Sequence, residues 1–229
     1  MSEDNEIESS RLLHAVRAAA ISPDDANDIV AKYMQQARTV YPAEHLEAHQ
    51  DRVAAKIVSR YAKLSSIVGG ASGLVGIIPG LGTALAVTGG ALGDAVATMK
   101  LQVDMSMCLA ATYGYDLNKE DARNLALLIS AGGTLEKAGL EFGARLASEA
   151  GVRLLRQYLR GAVLQAVKEF FKKLGIIFTR KALEKALPFG VGVALGSTAN
   201  FYLTRYVGQQ ATEWFRLDRD SGGPTLTLS

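Results

Sequence analysis

The sequence predicts an all-α fold, a compact multi-helix domain built around a central Gly/Ala-rich helical hairpin. Of the 229 residues 48% are hydrophobic, which is enough for a substantial core. There are only five prolines, and runs in which Val, Ile, Thr and Tyr alternate with polar residues are nearly absent. Apolar residues instead recur at the three- and four-residue spacing of helices that pack on a core.

The predicted hairpin comes from an uncharged stretch, Leu64 to Gly93, that contains nine glycines. A glycine costs a helix about 1 kcal/mol relative to alanine, so this number of glycines indicates that something lies close against the chain. A surface of Gly, Ala and Ser admits another helix backbone or a lipid chain. A similar Gly/Val/Ala sequence follows Pro188 and is also predicted to open a helix. The glycines predicted to line the contact or groove are Gly73, Gly76, Gly82 and Gly192.

Residues 1–63 are predicted to form an N-terminal helical region that packs on the core. A helix start is indicated by Ser22-Pro23-Asp24, which supplies an N-cap serine, a proline in the first turn and an acid near the helix N-terminus. This helix is expected to end at Tyr41-Pro42. The next is predicted to begin near Ala43, with a buried stripe made of Leu46, Val53, Ile57 and Leu64.

The following helical domain is predicted to span residues 64–218, with a flexible tail over 219–229. A long helix is predicted to run from about Leu81 to Tyr113. Gly114 then suits the C-terminal stop of that helix, because glycine adopts a left-handed conformation without strain.

Three more features describe the rest of this domain. Asn118 begins a sequence that resembles the cap of the next helix. The pair Gly132-Gly133 is predicted to break the chain. From Leu140 to Leu174 the apolar spacing predicts one continuous helical stripe with cations opposite.

Four polar residues interrupt the long apolar helix: Asp94, Lys100, Gln102 and Asp104. Asp94 and Gln102 are about two turns apart, so both can face one way and tie the helix to neighbouring backbone. A catalytic carboxylate at Asp94 or Asp104 is the alternative. A structural anchor is favoured, because the sequence places no acid, base or metal ligand beside them.

Metal, nucleophile and phosphate chemistry have weaker signals. His45 and His49 are one helical turn apart, but the acids around them favour a solvated face over a metal site. Cys108 lies among Met, Leu and Ala residues, the usual setting of an inert buried thiol. The glycine spacing at Gly80 lacks the third glycine and the lysine of nucleotide loops. The sequence therefore predicts no catalytic residue, no metal site and no cofactor.

Cations dominate the segment from Val152 to Leu187, whereas the chain up to Arg60 is mildly acidic. They can form the solvated face of a core helix, or they can bind an anionic membrane surface, where each contributes about 1 kcal/mol. Nucleic acid is disfavoured, because no aromatic residues are interleaved as stacking platforms. The residues assigned to a membrane surface are Arg153, Arg156, Arg160, Lys172 and Lys173.

The predicted location is the cytoplasm, peripheral to the inner membrane. The chain begins with acidic and polar residues where a secretory signal is basic and then apolar, and it has one cysteine. Two uncharged stretches, Leu64 to Gly93 and Ala186 to Thr204, have lengths near those of membrane spans. Pro79 divides the first and polar residues dilute the second, so buried hairpins are favoured and an integral form is the alternative.

Short motifs of small and aromatic residues occur in order between Ile57 and Phe215. They are Gly70-Ala71-Ser72-Gly73-Leu74-Val75-Gly76, Leu92-Gly93-Asp94 with Gln102, Tyr113-Gly114-Tyr115-Asp116, Pro188-Phe189-Gly190-Val191-Gly192, Asn200, and Tyr206-Val207-Gly208. Together they resemble the EcsC protein family of bacteria. The resemblance implies an all-helical, membrane-associated protein with no established enzymatic activity, and it supplies no catalytic residue.

Three hypotheses of function follow. The leading one is a non-enzymatic cytoplasmic protein that binds lipid or an anionic membrane surface, as an adaptor or lipid-handling module. The second is an integral or membrane-inserting helical protein with both glycine hairpins in the bilayer. The third is a lipid-acting enzyme of unrecognised type that uses Asp94 or Asp104.

Overall fold

The computed structural model describes five parts of the chain. They are residues 3–68, 82, 93–140, 145–185 and 192–222. Within these residues every regular element is an α-helix, which confirms the all-α prediction. Gly82 has a helical conformation. Residues 69–81 and 83–92 of the predicted glycine-rich hairpin, including Gly73 and Gly76, lie outside the described residues, so the hairpin stays a prediction. The helix predicted to open after Pro188 is confirmed, because a helix begins at Gly192.

Eight helices are present in the described parts. In chain order they are α1 (Glu3–Ala19), α2 (Pro23–Val40), α3 (Leu46–Val68), α4 (Gly93–Thr112), α5 (Glu120–Lys137), α6 (Glu149–Leu159), α7 (Val163–Lys185) and α8 (Gly192–Asp220).

The central helix is α4, which packs against α1, α2, α3, α5 and α8. Every residue from Val96 to Ala110 is buried. Apolar or small residues of α4 occur on every side of the helix, as expected of a helix enclosed by a core. One cluster of buried side chains extends from Leu12 to Phe215, so α1 to α3 share a core with the later helices.

Helix α3 runs antiparallel to α8, with a close approach at Gly208. Ser65 Oγ donates to the Asn200 carbonyl at 3.0 Å near one end, and Arg216 pairs with Asp51 at 3.2 Å near the other. A Cβ atom on Gly208 would lie 2.8 Å from the γ-methyl groups of Val58. Only glycine allows this spacing between the two helices.

Local helix-end chemistry matches the sequence predictions at two places. The Ser22 hydroxyl accepts the Asp25 N–H at 3.1 Å at the start of α2, which ends at Val40, immediately before Tyr41. Gly114 has φ of +91° just after α4, in the left-handed region that favours glycine. Helix α3, in contrast, begins three residues later than predicted, at Leu46, which is exposed.

The predicted break at Gly132-Gly133 is wrong, because α5 continues through both glycines. Both are buried, and a Cβ atom on Gly133 would contact the Val207 side chain of α8 at 3.4 Å. These glycines admit a neighbouring helix and do not form a turn. The helix start predicted at Asn118-Lys119-Glu120-Asp121 is confirmed, because α5 begins at Glu120, although Asn118 is not its N-cap residue. The N-cap residue is Lys119 and has no capping side-chain bond, and the Asn118 N–H bonds to Asp116 at 3.0 Å.

The predicted continuous stripe from Leu140 to Leu174 is divided between two helices. The Ser148 hydroxyl accepts the Gly151 N–H at 3.0 Å at the start of α6, and a turn over residues 160–162 separates α6 from α7. The last helix also enters the predicted tail, since α8 ends at Asp220. Arg219 holds it there by donating to Gln50 at 3.2 Å.

Three helix ends that adjoin the glycine-rich segments of the sequence lie at the same end of the bundle. Helix α4 runs antiparallel to α3, because Tyr61 meets Cys108 at 3.6 Å while Gln50 Nε2 donates to the Thr112 carbonyl at 2.9 Å. The C-terminus of α3 and the N-termini of α4 and α8 therefore lie together at one end of the bundle. We call this part of the bundle the glycine end.

Candidate functional site

The surface of the glycine end combines exposed apolar side chains with cations. Ile67 is 46% exposed and Tyr202 is 61% exposed. Arg60, Lys63 and Arg205 are exposed one to two turns behind them on the same two helices. No Asp or Glu occurs in residues 52–68 or 192–212. This arrangement, apolar and aromatic residues at the tip with cations behind, is typical of proteins at a bilayer interface.

Sequence analysis missed these five residues. Arg60, Lys63 and Ile67 share one face of α3, since they are three and four residues apart, but only the fold brings them near Tyr202 and Arg205 of α8. The absence of acids from residue 52 to residue 93 was a usable signal.

A groove of about 570 Å³ follows the seam between α3 and α8. We call it the α3–α8 groove. Its α3 wall contains Asp51, Ala55, Ser59 and Ala62, and its α8 wall contains Phe201, Arg205, Gln209, Thr212, Glu213 and Arg216. This volume lies within the range of small-molecule sites.

Polarity changes along the groove. At the end away from the glycine end, Arg216 pairs with Asp51 at 3.2 Å and with Glu213 at 3.1 Å. At the glycine end the lining is Ala62 and Phe201. The two acids of the lining are thus both engaged by Arg216, whereas Arg205 forms no ion pair within the described residues.

The motif Tyr113-Gly114-Tyr115-Asp116 lies at the opposite end of the bundle, where its tyrosines hold neighbouring helices. Tyr113 donates to Asp51 at 3.0 Å and Tyr115 donates to Asp218 at 2.5 Å. Burial raises the pKa of both phenols, and the two carboxylates raise it further, so both stay protonated donors at neutral pH. The contacts are those of a structural clamp.

Gln102 is buried on α4 and accepts a hydrogen bond from Thr134 Oγ1 at 2.8 Å. Its Nε2 atom has no hydrogen-bond partner among the described residues. Gln102 therefore ties α4 to a side chain of α5, whereas the prediction was a bond to neighbouring backbone. The side chain of Asp94 and the surroundings of Gly192 lie outside what the structure describes, so the predicted roles of both residues stay predictions.

Lys100 and Asp104 form an ion pair in the core, with both side chains 3% exposed. Asp104 also accepts the Ile21 N–H at 2.8 Å, which ties α4 to the turn between α1 and α2. Burial raises the pKa of Asp104, and the Lys100 ammonium opposes that rise. Both carboxylate oxygens are occupied and inaccessible, which supports the structural interpretation of this residue.

Cys108 is a buried thiol, as predicted, and burial raises its pKa to about 12.

The two histidines lie in different environments. His45 is exposed, but His49 is buried with Nε2 2.9 Å from the Tyr41 carbonyl oxygen, so the predicted solvated face holds for His45 alone. Within the described residues, no three His, Cys, Asp or Glu side chains are grouped to hold a metal ion.

The predicted basic surface is only partly free. Arg153, Arg160 and Lys173 are exposed on α6, the turn and α7. Arg156 instead donates to the buried Asp218 at 2.7 Å. Lys172 is half-buried.

None of the helices, over the residues that the structure describes, is both long and apolar enough to span a bilayer.

The fold and its glycine end define a compact helical protein with one basic and apolar end. The chain matches the EcsC protein family over residues 10–219 and therefore belongs to that family. This match includes most of α1 and all of α2, and so extends well before Ile57, where the motif resemblance began. No match was found among curated proteins or among solved structures.

Proposed function

We propose that this protein is a non-enzymatic, lipid- or membrane-surface-binding protein of the cytoplasm, and that the glycine end is the part that meets an anionic inner membrane surface. The observation that carries the proposal is the set of exposed cations, Arg60, Lys63 and Arg205, behind Ile67 and Tyr202 with no acid among them. The uncharged, glycine-rich stretch of the sequence continues directly from this surface.

The energies suit reversible binding. Each basic residue near an anionic bilayer contributes about 1 kcal/mol, and partial burial of an aromatic and an aliphatic side chain adds to this. Because the cations lie behind the apolar tip, they can reach lipid phosphates while the tip enters the interface. Membrane binding that depends on charge is also weakened by salt.

The exposed cations of α6 and α7 are the competing surface. Glu149 lies 3.5 Å from Arg153 and offsets part of its charge. Arg156 is committed to Asp218. The glycine end is favoured because, among the residues that the structure describes, no acid pairs with Arg60, Lys63 or Arg205.

The test compares two triple variants that remove equal charge. One is Arg60→Gln, Lys63→Gln and Arg205→Gln, and the matched control is Arg153→Gln, Arg160→Gln and Lys173→Gln. In co-sedimentation with phosphatidylglycerol vesicles, the first should lose roughly tenfold or more of its affinity and the second should stay near wild type. High salt should reproduce the loss, and thermal stability should change little, since exposed charges contribute little to folding.

Equal binding of the wild type to neutral and anionic vesicles would contradict the proposal. Loss of binding in the control triple variant alone would move the surface to α6 and α7. Resistance of the membrane-bound protein to alkaline carbonate extraction would instead favour the integral alternative.

A further inference from the structure

The α3–α8 groove has a length and direction that relate it to the glycine end. Phe201 and Arg216 are about 22 Å apart along α8, at 1.5 Å per residue. Phe201 and Ala62 line the groove where it reaches the glycine end, and the ion pairs of Arg216 close it at the far end. A ligand that enters from the membrane therefore meets apolar residues first and the ion pairs of Arg216 last.

The middle of the groove offers hydrogen-bonding groups from both walls. Val58 packs at Gly208, so the next residues, Ser59 and Gln209, lie at about the same level. Ser59 and Gln209 are exposed. The Thr212 hydroxyl donates to the Gly208 carbonyl at 2.8 Å, which leaves its oxygen as an acceptor. This part of the groove suits a ligand with several hydroxyl groups.

Arg205 lies between these polar groups and the apolar mouth, one turn or about 6 Å from Gln209 and from Phe201. It is exposed and has no acid partner within the described residues. A guanidinium in this position can bind a phosphodiester in bidentate fashion. The order along the groove is thus hydroxyl-binding groups, phosphate-binding cation, apolar mouth.

We propose that the α3–α8 groove binds the hydroxylated headgroup of an anionic glycerophospholipid, with the phosphodiester at Arg205 and the acyl chains leaving past Phe201 toward the bilayer. This inference rests on the proposed function and assigns it a headgroup class. The opposite orientation, with an acyl chain in the groove, is disfavoured. Its tail would end against the ion pairs of Arg216, where it would remove water from charged groups.

The experiment compares vesicles with the same fraction of phosphatidylglycerol or phosphatidylserine, which have equal net charge but differ in headgroup hydroxyls. The groove variant is Gln209→Leu with Thr212→Val, which changes no charge. Wild type should bind phosphatidylglycerol about fivefold to tenfold more tightly, and the variant should bind both lipids at the phosphatidylserine level. Ser59→Ala, on the opposite wall, should give a smaller loss of the same preference.

The matched control is Arg60→Gln with Lys63→Gln, outside the groove. It should lower binding to both lipids and leave their ratio unchanged. Equal binding of wild type to the two lipids would overturn the inference. A preference for phosphatidylglycerol that persists in both groove variants would also overturn it. Neither result would contradict the proposed function. Absence of binding to either vesicle would instead overturn the proposed function.

A soluble arm separates lipid from a free phosphodiester. Calorimetric titration with glycerophosphoglycerol, the deacylated headgroup, should show binding at least tenfold weaker than that of the vesicles, because the membrane contacts of the glycine end are missing. Soluble headgroup that binds as tightly as the vesicles would assign the groove to a soluble phosphodiester and overturn the lipid assignment.

Discussion

Polar residues in the core of α4 have specific partners that fix the position of this helix. Lys100 pairs with Asp104, and Asp104 reaches the Ile21 N–H. Ser130 of α5 donates to the Gln102 carbonyl at 3.0 Å. A helix with small and apolar residues on every side could pack in several rotations, and these bonds favour one of them. We therefore interpret the Lys100–Asp104 pair as a contact that fixes the rotation of α4 in the core.

Substitution of Lys100 tests this interpretation. Lys100→Met should lower the free energy of unfolding by about 3 to 5 kcal/mol at neutral pH, because it leaves a buried carboxylate without its counterion. The double variant Lys100→Met with Asp104→Asn should recover most of that loss, since asparagine still accepts the Ile21 N–H. Chemical denaturation of the three proteins measures both effects. A double variant no more stable than the single one would contradict the ion-pair account.

The pH dependence of the single variant has a defined sign. Burial already raises the pKa of Asp104 above its ordinary value of 3.8, and loss of Lys100 removes the group that opposes the rise. An acid with a raised pKa in the folded state binds its proton more tightly there, so stability is lost as the pH rises through that value. The stability deficit of Lys100→Met should therefore shrink on acidification toward the ordinary Asp value. A deficit that grows over this range would show that Asp104 is not the unpaired charge.

At the scale of helices, the sequence predicted ends that depend on local chemistry. Ser22 caps α2 by a bond within the same turn, and Gly114 supplies a positive φ angle. Gly133 was misassigned as a helix break. It lies against the Val207 side chain of another helix, which is distant in the sequence. The sequence alone does not distinguish a glycine in a turn from a glycine at a helix contact. Helix contacts cannot be distinguished from turns without the fold.

The same limit applied to the candidate site. Arg156 belongs to a basic segment of the sequence, but Asp218, its partner, lies 62 residues away. Arg205 of the glycine end is more than 130 residues from Arg60 and Lys63 in the chain, and the two helices that carry these cations meet at Ser65 and Asn200. Sequence analysis predicted a basic membrane surface at Arg153, Arg156, Arg160, Lys172 and Lys173, and it missed the cations beside the uncharged, glycine-rich stretch. The location of these cations required the packing of α3 on α8.

The two glycines at helix contacts should respond with opposite signs to one methyl group. Gly208→Ala places a Cβ atom 2.8 Å from the stiff Val58 side chain, and the required shift of α8 should cost about 1 to 3 kcal/mol. Gly133→Ala meets Val207 at an ordinary 3.4 Å and should stabilise the protein by up to about 1 kcal/mol through helix propensity. Thermal melting compares the two variants directly. Equal changes in melting temperature would refute the assigned spacings.

At the scale of the whole molecule, charge and polarity differ between the two ends of the bundle. The glycine end has exposed cations and apolar side chains. At the other end the acids Asp51, Glu213 and Asp218 are held by arginines and by the tyrosines of the clamp. An anionic surface therefore attracts one end more than the other and orients the protein during its approach. Membrane contact should be confined to the glycine end.

Site-directed labelling tests this orientation, and the chain suits it because Cys108 is buried with a raised pKa and should not react in the folded protein. Ile67→Cys and Leu46→Cys replace similarly exposed aliphatic residues, 46% and 51%, at opposite ends of α3 and about 32 Å apart. A polarity-sensitive fluorophore at residue 67 should shift to the blue and become protected from iodide on phosphatidylglycerol vesicles, while one at residue 46 should not change. A third label, Leu164→Cys on α7, reports the competing basic surface. Protection of residue 164 without protection of residue 67 would place the membrane at α6 and α7, and protection of residue 46 would refute the orientation.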